Sequence, residues 1–342
     1  MVIHYKCANC GDDMAFDSET GMLACQSCGR QDHIDQISEN LKTVVFSDDE
    51  AKEYHCENCG AALITEAETA ATTCSFCGAG VVLQDRLSGV LAPAKVIPFK
   101  ISKEEAMSAF KKWCKNGLLT PRGFMSADRV KGITGMYVPF WLYDVSGQAE
   151  VEAVATKVKR YTKGDYEYTE TKYYEVYRDI DLSYVKVPID ASEKMDDNIM
   201  DKLEPFPYDQ LKDFKTPYLA GYIAEKYNYD DQELFPRVQS KIKPFIDSYI
   251  SSTISGYSSV TYRRKDIDTT KVRSDYVLLP VWMVYYDYDK TEHTFAMNGQ
   301  TGKIVGKPPI SYSKAAAWFG GIAGTSFITL KIVSLLMGGG LW

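Results

Sequence analysis

Eight of the nine cysteines fall into a pattern that could hold metal. Cys7-x2-Cys10 is followed, after fourteen residues, by Cys25-x2-Cys28; Cys56-x2-Cys59 stands at the same spacing from Cys74-x2-Cys77. A Cys-x2-Cys turn points two sulfurs at one ion, and two such knuckles complete the tetrahedron of a four-thiolate zinc ribbon. Gly11, Gly29, Gly60 and Gly78 each follow a second knuckle cysteine, where the backbone turns left-handed. Iron in the same thiolates, and redox use of the pairs, are the alternatives. Disulfides fit poorly in a chain that reads as cytosolic, and a redox pair would need a βαβ setting that is missing here. Four thiolates leave no open coordination position, so such metals are structural rather than catalytic.

The elements that must position these cysteines are themselves repeated. Each cysteine of the first set recurs 49 positions later, and so do Tyr5 as Tyr54, Asn9 as Asn58, Glu19 as Glu68 and Thr20 as Thr69. This is a duplicated module. A module this short cannot bury a core able to fold it alone. Zinc would supply about 10–16 kcal/mol of apparent folding free energy per site. The ninth cysteine, Cys114, reads as a small buried hydrophobe on a helix.

Charge narrows what the ribbons could touch. Residues 1–90 hold five basic side chains against eight Asp and seven Glu, a net of −10 within a chain of net −7. Phosphate binding needs a basic footprint, so nucleic acid is disfavoured and protein contact is the better reading. The N-terminus shows neither a basic stretch nor an apolar run of the signal-peptide kind. At 45% apolar and 25% charged residues, the chain reads as globular.

Residues 91–310 read as one α+β domain. Ser102 and Glu105 form a capping box ahead of Ala106, Phe110 and Trp113, which recur at helical spacing. Strands are expected at 136–143, 148–160 and 166–180, with turns at Ser146-Gly147 and Lys163-Gly164-Asp165. Helices are expected over 192–203 (Met195, Ile199, Leu203) and 236–255 (Val238, Ile242, Phe245, Tyr249), with Pro244 kinking the second or marking a restart. Residues 216–228 are ambiguous. Strands resume at 258–264 and 275–288, and a hairpin turns at Asn298–Gly302. Val138-Pro139-Phe140-Trp141 echoes Leu279-Pro280-Val281-Trp282, which suggests two related halves. Catalytic signals are few. Gly299–Lys303 superficially follows a phosphate loop but lacks its upstream Gly, and Ile304 stands where Ser or Thr belongs. His293 is the one histidine beyond residue 55, so no His-paired nucleophile stands out. Asp196-Asp197 reads as a solvated helix face. The 24 Tyr fit strand propensity, with a Tyr-lined peptide groove as the alternative.

Residues 315–330 carry no charge, and Lys331 precedes a further uncharged run to Trp342. A helix from 315 to 335 would be about 30 Å long, the thickness of a bilayer core. Lys303, Lys307 and Lys314 lie before it and no basic residue follows Lys331, so the positive-inside bias puts the rest of the chain in the cytosol. Ala316, Gly320 and Gly324 form a small-xxx-small face of the kind that packs against a partner helix.

With these features assembled, the sequence resembles the bacterial family of TFIIB-type zinc ribbon-containing membrane proteins, some of which carry labels such as putative phage replisome organizer or primosomal helicase-like. The resemblance runs through Tyr5-Lys-Cys-Ala-Asn-Cys-Gly11, Tyr54-His-Cys-Glu-Asn-Cys-Gly60, Tyr218-Leu-Ala-Gly-Tyr222, Leu279-Pro-Val-Trp282, Phe295-Ala-Met-Asn-Gly-Gln-Thr-Gly-Lys303 and the apolar tail. It implies a membrane-stress adaptor working with a second membrane protein, an SPFH/flotillin-like protein and a phage-shock-protein-A-like protein. It carries over eight cysteine ligands and the anchor, and no catalytic residue. The helicase label fails, because there is no nucleotide-binding loop and residues 1–90 are acidic.

The expectation is therefore an α+β chain: zinc ribbons at 1–32 and 53–82 around an acidic linker at 33–52, a largely antiparallel β-rich domain at 91–310, and a transmembrane helix at 314–337. Two structural Zn2+ ions, no enzymatic activity and a single-pass location with the N-terminal domains cytoplasmic complete it. The alternative is a nucleic-acid-binding ribbon protein of replication or transcription.

Overall fold

A computed structural model describes residues 2–3, 5–37, 52–56, 62–65, 69–74, 79–83, 93–115, 119–121, 133–288, 291–306, 308 and 310–336. Most of the expected linker, and the end of the first helix at Asn116-Gly117, lie outside the described residues.

Three long strands dominate: β10 (Thr134–Lys163), β11 (Tyr166–Asp190) and β14 (Ser259–Tyr288). All pair antiparallel, with β10 in the middle. Their burial follows their sequence. Where they read as continuous apolar runs, Met136–Tyr143 and Tyr276–Val284, both faces are covered. Further along β10, Ala149, Val151, Ala153 and Ala155 are buried and alternate with outward Gln148, Glu150 and Glu152. The expected turn at Ser146-Gly147 is absent, because β10 runs straight through it. Gly147 instead serves a close approach: a Cβ there would lie 2.3 Å from the Asp268 carbonyl oxygen. The turn at Gly164, φ +64°, does form and joins β10 to β11.

The remaining strands are short. β1 (Val2–Ile3), β2 (Met14–Asp17), β3 (Met22–Cys25), β4 (Gln31–Asp32), β5 (Lys52–His55), β6 (Ala62–Thr65), β7 (Thr69–Thr73) and β8 (Gly80–Leu83) belong to the cysteine modules. β9 (Lys95–Val96), β12 (Lys212–Asp213), β13 (Ile223–Glu225), β15 (Thr291–Asn298) and β16 (Ile304–Gly306) complete the set. The main sheet runs β1-β8-β7-β13-β10-β14-β15-β16, so the β7–β8 hairpin of the second module is built into it. The ambiguous stretch 216–228 resolves into a 3-10 turn, Thr216–Leu219, and β13, which links β7 to β10. The two look-alike segments lie opposite each other, Val138 against Leu279 and Met136 against Val281.

Four helices are found among the described residues. α1 (Lys103–Lys115) starts at the expected capping box: Glu105 Oε2 accepts from the Ser102 N–H, and Ser102 Oγ accepts from the Glu105 N–H. α2 (Asp197–Leu203) is shorter than the expected 192–203, because the Asp196 carboxylate caps it by accepting from the N–H groups of Asn198 and Ile199. α3 (Phe235–Thr253) continues through Pro244. Its buried stripe is Val238, Ile242, Ile246 and Ile250, which covers Ala149–Ala155 of β10. Phe245 and Tyr249, expected in the core, point outward at 64% and 54% exposure. A spacing of four fits both choices, and only the sheet decides which face it takes. α4 (Tyr312–Leu336) is the C-terminal helix.

Candidate metal centre

Both knuckles of the first module fold the same way. The Cys7 N–H donates to the Asp12 carbonyl and the Gly11 N–H to the Cys7 carbonyl; the Cys25 N–H donates to the Arg30 carbonyl and the Gly29 N–H to the Cys25 carbonyl. Gly11 and Gly29 sit at φ +78° and +73°, the left-handed backbone that only glycine takes freely. The β2–β3 hairpin brings the knuckles together, and the four sulfurs lie within 4.8 Å of one another. Cys7 Sγ is 3.5 Å from Cys28 Sγ, and Cys10 Sγ is 3.5 Å from Cys25 Sγ. A tetrahedral ion with sulfurs at about 2.3 Å places them about 3.8 Å apart, so a metal fits with little adjustment. The same separations exceed a disulfide bond, which is about 2.05 Å.

The electrostatics ask for a cation. The backbone N–H of Arg30 and the Asn9 amide lower the Cys28 thiol to about 6. At Cys10 the Asp12 N–H pulls down, but the Cys25, Cys28 and Cys7 sulfurs crowd the group and push it up to about 12. Clustered thiolates repel, and a bound divalent ion removes that repulsion. Cys7 and Cys25 are buried against the protein, while Cys10 and Cys28 face solvent.

The second module repeats what is described of the first. Cys56 and Cys74 are buried like their counterparts Cys7 and Cys25. The Cys74 N–H donates to the Ala79 carbonyl, the equivalent of the Cys25–Arg30 bond. Cys59 and Cys77 lie outside the described residues, as does the Cys114 side chain. Both cysteine groups could thus bind metal, and among the described residues Cys7, Cys10, Cys25 and Cys28 form the one cluster of metal-holding geometry.

The first module is docked, and the segment that receives it is Tyr218–Tyr222. The Phe16 N–H donates to the Ala220 carbonyl, and the Phe16 ring meets Tyr218 edge-on at 5.4 Å. Gly221, at φ +86°, has its Cβ position 3.0 Å from Ala15 Cβ, and on its other side Gly80 leaves only 2.9 Å to the Gly221 nitrogen. Tyr5 Oη lies 2.6 Å from Thr216 Oγ1, and Lys215 pairs with Asp35 at 2.7 Å. Behind this segment Tyr222 stacks on Phe99 at 4.2 Å, and the Trp282 indole N–H donates to the Ile101 carbonyl. Asn298 is fully buried: its amide donates to the Leu203 and Pro205 carbonyls, and its oxygen accepts from the Gln300 and Thr301 N–H groups. The Asn298–Gly302 stretch is a hairpin turn packed on α2. All three of these sequence motifs are therefore packing junctions.

A polar cluster went unread in the sequence. Asp190, almost fully buried, pairs with Arg237 at 3.0 Å, and Arg237 also holds Asp197 at 2.7 Å. Asp197, exposed on the helix face as expected, is also a partner in this network. Lys241 bridges Asp201 and Glu204. Burial raises the Asp190 carboxyl to about 7, helped by its contact with Asp197 and opposed by Arg237. No local signal announces such a network, since its members come from β11, α2 and α3.

α4 stands apart from these contacts. Within Tyr312–Ser334 an 18-residue window has mean hydropathy 1.4, and none of that window is buried. By length and composition it can cross a membrane. Lys314, at its start, donates to the Thr120 carbonyl. Ala316, Gly320 and Gly324 lie exposed along it, and Cβ atoms at the two glycines would meet nothing within 4 Å.

Fold and site together define an α+β protein with cysteine-knuckle modules built onto its sheet and one apolar C-terminal helix. Over 340 residues the chain is 68% identical to the uncharacterized protein YdjG of Bacillus subtilis (strain 168), covering 99% of this chain and 100% of that protein. The chain belongs to the YdjG family. No protein-family model matches it, and no solved structure does either.

Proposed function

We propose that this protein is a non-enzymatic, membrane-anchored adaptor whose two zinc ribbons and sheet recruit cytosolic proteins to the membrane. The observation that carries the reading is α4, a helix of bilayer length with no buried residue in its apolar window. Leaving that much apolar surface in water has a large hydrophobic cost, which lipid or a partner helix removes. Zn2+ in Cys7, Cys10, Cys25 and Cys28, and a second ion in Cys56, Cys59, Cys74 and Cys77, would make each ribbon a small rigid surface. The acidic balance of residues 1–90 favours basic protein surfaces over nucleic acid. The resemblance noted above suggests the partners, a second membrane protein with SPFH/flotillin-like and phage-shock-protein-A-like proteins in a membrane-stress system, and the small-residue face of Ala316, Gly320 and Gly324 would pack against the first of them.

The test is an alkaline carbonate wash of membranes carrying the full chain or a chain ending at Ser313. The full chain stays in the pellet and the shorter chain leaves it. Release of both removes the anchor, and with it the adaptor reading.

A further inference from the structure

The β10–β11 hairpin outruns the rest of the sheet. β14 begins at Ser259, opposite Thr156, and α3 covers the β10 face only as far as Ala155. Beyond that point seven residue pairs continue without a third strand, from Lys157 with Lys172 to Lys163 with Tyr166, with the Val158 N–H still donating to Ser258 Oγ at 2.9 Å. They project about 23 Å at about 3.3 Å per residue. Every residue from 157 to 175 is exposed.

The two faces of this projection differ. Alternation puts Val158, Arg160, Thr162, Glu167, Thr169 and Thr171 on one face, the composition of an ordinary solvated ribbon. The other face continues the strip that α3 covers further down. It carries Lys157, Lys159, Lys163 and Lys172 against the single acid Glu170, with Tyr161, Tyr166 and Tyr168 among them. The Tyr161 and Tyr168 rings stack at 5.5 Å, and Tyr166 is 71% exposed. In a chain of net charge −7 this is a cationic, aromatic surface: the Lys157 ammonium lies over the Tyr257 and Tyr174 rings at its base and Lys172 pairs with Glu170 at 3.3 Å, while Lys159, Lys163 and Tyr166 stand exposed beyond them.

We propose that this strip, formed by Lys157, Lys159, Tyr161, Lys163, Tyr168 and Lys172, binds the anionic phospholipid surface of a bilayer. Ammonium groups pair with headgroup phosphates, and tyrosine rings settle at headgroup depth with the hydroxyl wet. An acidic protein would satisfy the lysines equally well. The bilayer is favoured because α4 would hold the chain beside one, a clause that rests on the anchor reading. The hairpin then gives the cytosolic sheet a second hold on the membrane.

The test places the photo-crosslinker p-benzoylphenylalanine at Tyr166 in the full chain. The chain is reconstituted in phosphatidylcholine vesicles with or without about 30% phosphatidylglycerol, and adducts are weighed by mass spectrometry. Lipid adducts rise by about five-fold or more with the anionic lipid at about 0.1 M salt, and fall back at about 0.5 M. The Lys157→Glu/Lys159→Glu/Lys163→Glu variant, altered only at exposed positions, loses the increase. Equal yields in both vesicles, or adducts to protein alone, overturn the proposal. Carbonate washing of the same vesicles reads α4 separately. Adducts on a chain that washes off keep the hairpin contact and refute the anchor. A chain that resists washing but gives no anionic-lipid adduct does the reverse.

Discussion

Replacing Phe16 with alanine should weaken metal binding in the first ribbon without touching a ligand. Phe16 lies on β2 with its ring against Tyr218 at 5.4 Å and Tyr222 at 6.4 Å, and it is 5% exposed. The ribbon presents this ring when its knuckles are closed, and an ion bound by the four cysteines would hold them closed. Docking and metal binding are therefore linked, and each strengthens the other by the same factor. Truncating a buried Phe removes about 3–5 kcal/mol. If only the lower figure passes through the linkage, the dissociation constant of the first site rises about 10²-fold. The assay is chelator competition on the zinc-loaded protein, followed with a colorimetric zinc indicator. Two releases are expected, and Phe16→Ala moves one of them to lower chelator concentration. Cys10→Ser identifies that release by abolishing it. The second site packs in its own cluster of Tyr54, Cys56, Cys74, Ala79, Val81 and Leu83, so its release stays in place. A Phe16→Ala protein whose two releases match the parent would refute the linkage, and equal shifts in both would refute the independence of the sites.

Three further outcomes follow from the buried polar groups. A carboxyl whose folded-state pKa is raised binds its proton more tightly when folded, so Asp190, at about 7 by burial and then Asp197, makes stability fall as pH rises from about 4 to 7. Asp190→Asn should flatten the curve of unfolding free energy against pH in that window by up to about 1.4 kcal/mol per pH unit, leaving the contribution of Glu204, which burial also raises; an unchanged curve would remove Asp190 as its source. Asn298→Ala breaks four hydrogen bonds at a fully buried position and should cost about 2–4 kcal/mol in denaturant unfolding, so a loss below about 1 kcal/mol would contradict the role given to this side chain. The Tyr208 hydroxyl is buried without a partner among the described residues, and Tyr208→Phe should leave stability equal or raise it by about 1 kcal/mol, while a clear loss would reveal a bond to that hydroxyl.

What the sequence shows and hides follows the range of the forces involved. The knuckles, the capping box at Ser102 and Glu105, the turn at Gly164 and the hairpin at Asn298 are each decided within about five residues, and each is readable. α4 is readable because composition alone separates a bilayer-length helix from its surroundings. Features decided across the chain are not. Gly147 looks like half of a turn, yet its missing side chain serves the approach of β14, more than a hundred residues away. The face that α3 buries is chosen by Ala149–Ala155, so Phe245 and Ile246 cannot be ranked from their own spacing.

The Tyr218–Tyr222 segment shows how these two kinds of information combine. As sequence it has no periodicity, and its glycine suggests only a bend. In the fold, Gly221 is pinched between Ala15 of the first module and Gly80 of the second, while Tyr218 and Tyr222 carry Phe16 and lean on Phe99. A side chain at Gly221 would strain a left-handed backbone and press on Ala15 at once. Each of the two cysteine modules is thus fixed to the sheet beside the same segment. A partner that reads the ribbons would meet a surface whose shape depends on metal, docking and sheet together. Removing metal from the first ribbon should therefore uncover Tyr218 and Tyr222, and change the face offered to that partner even where no cysteine touches it.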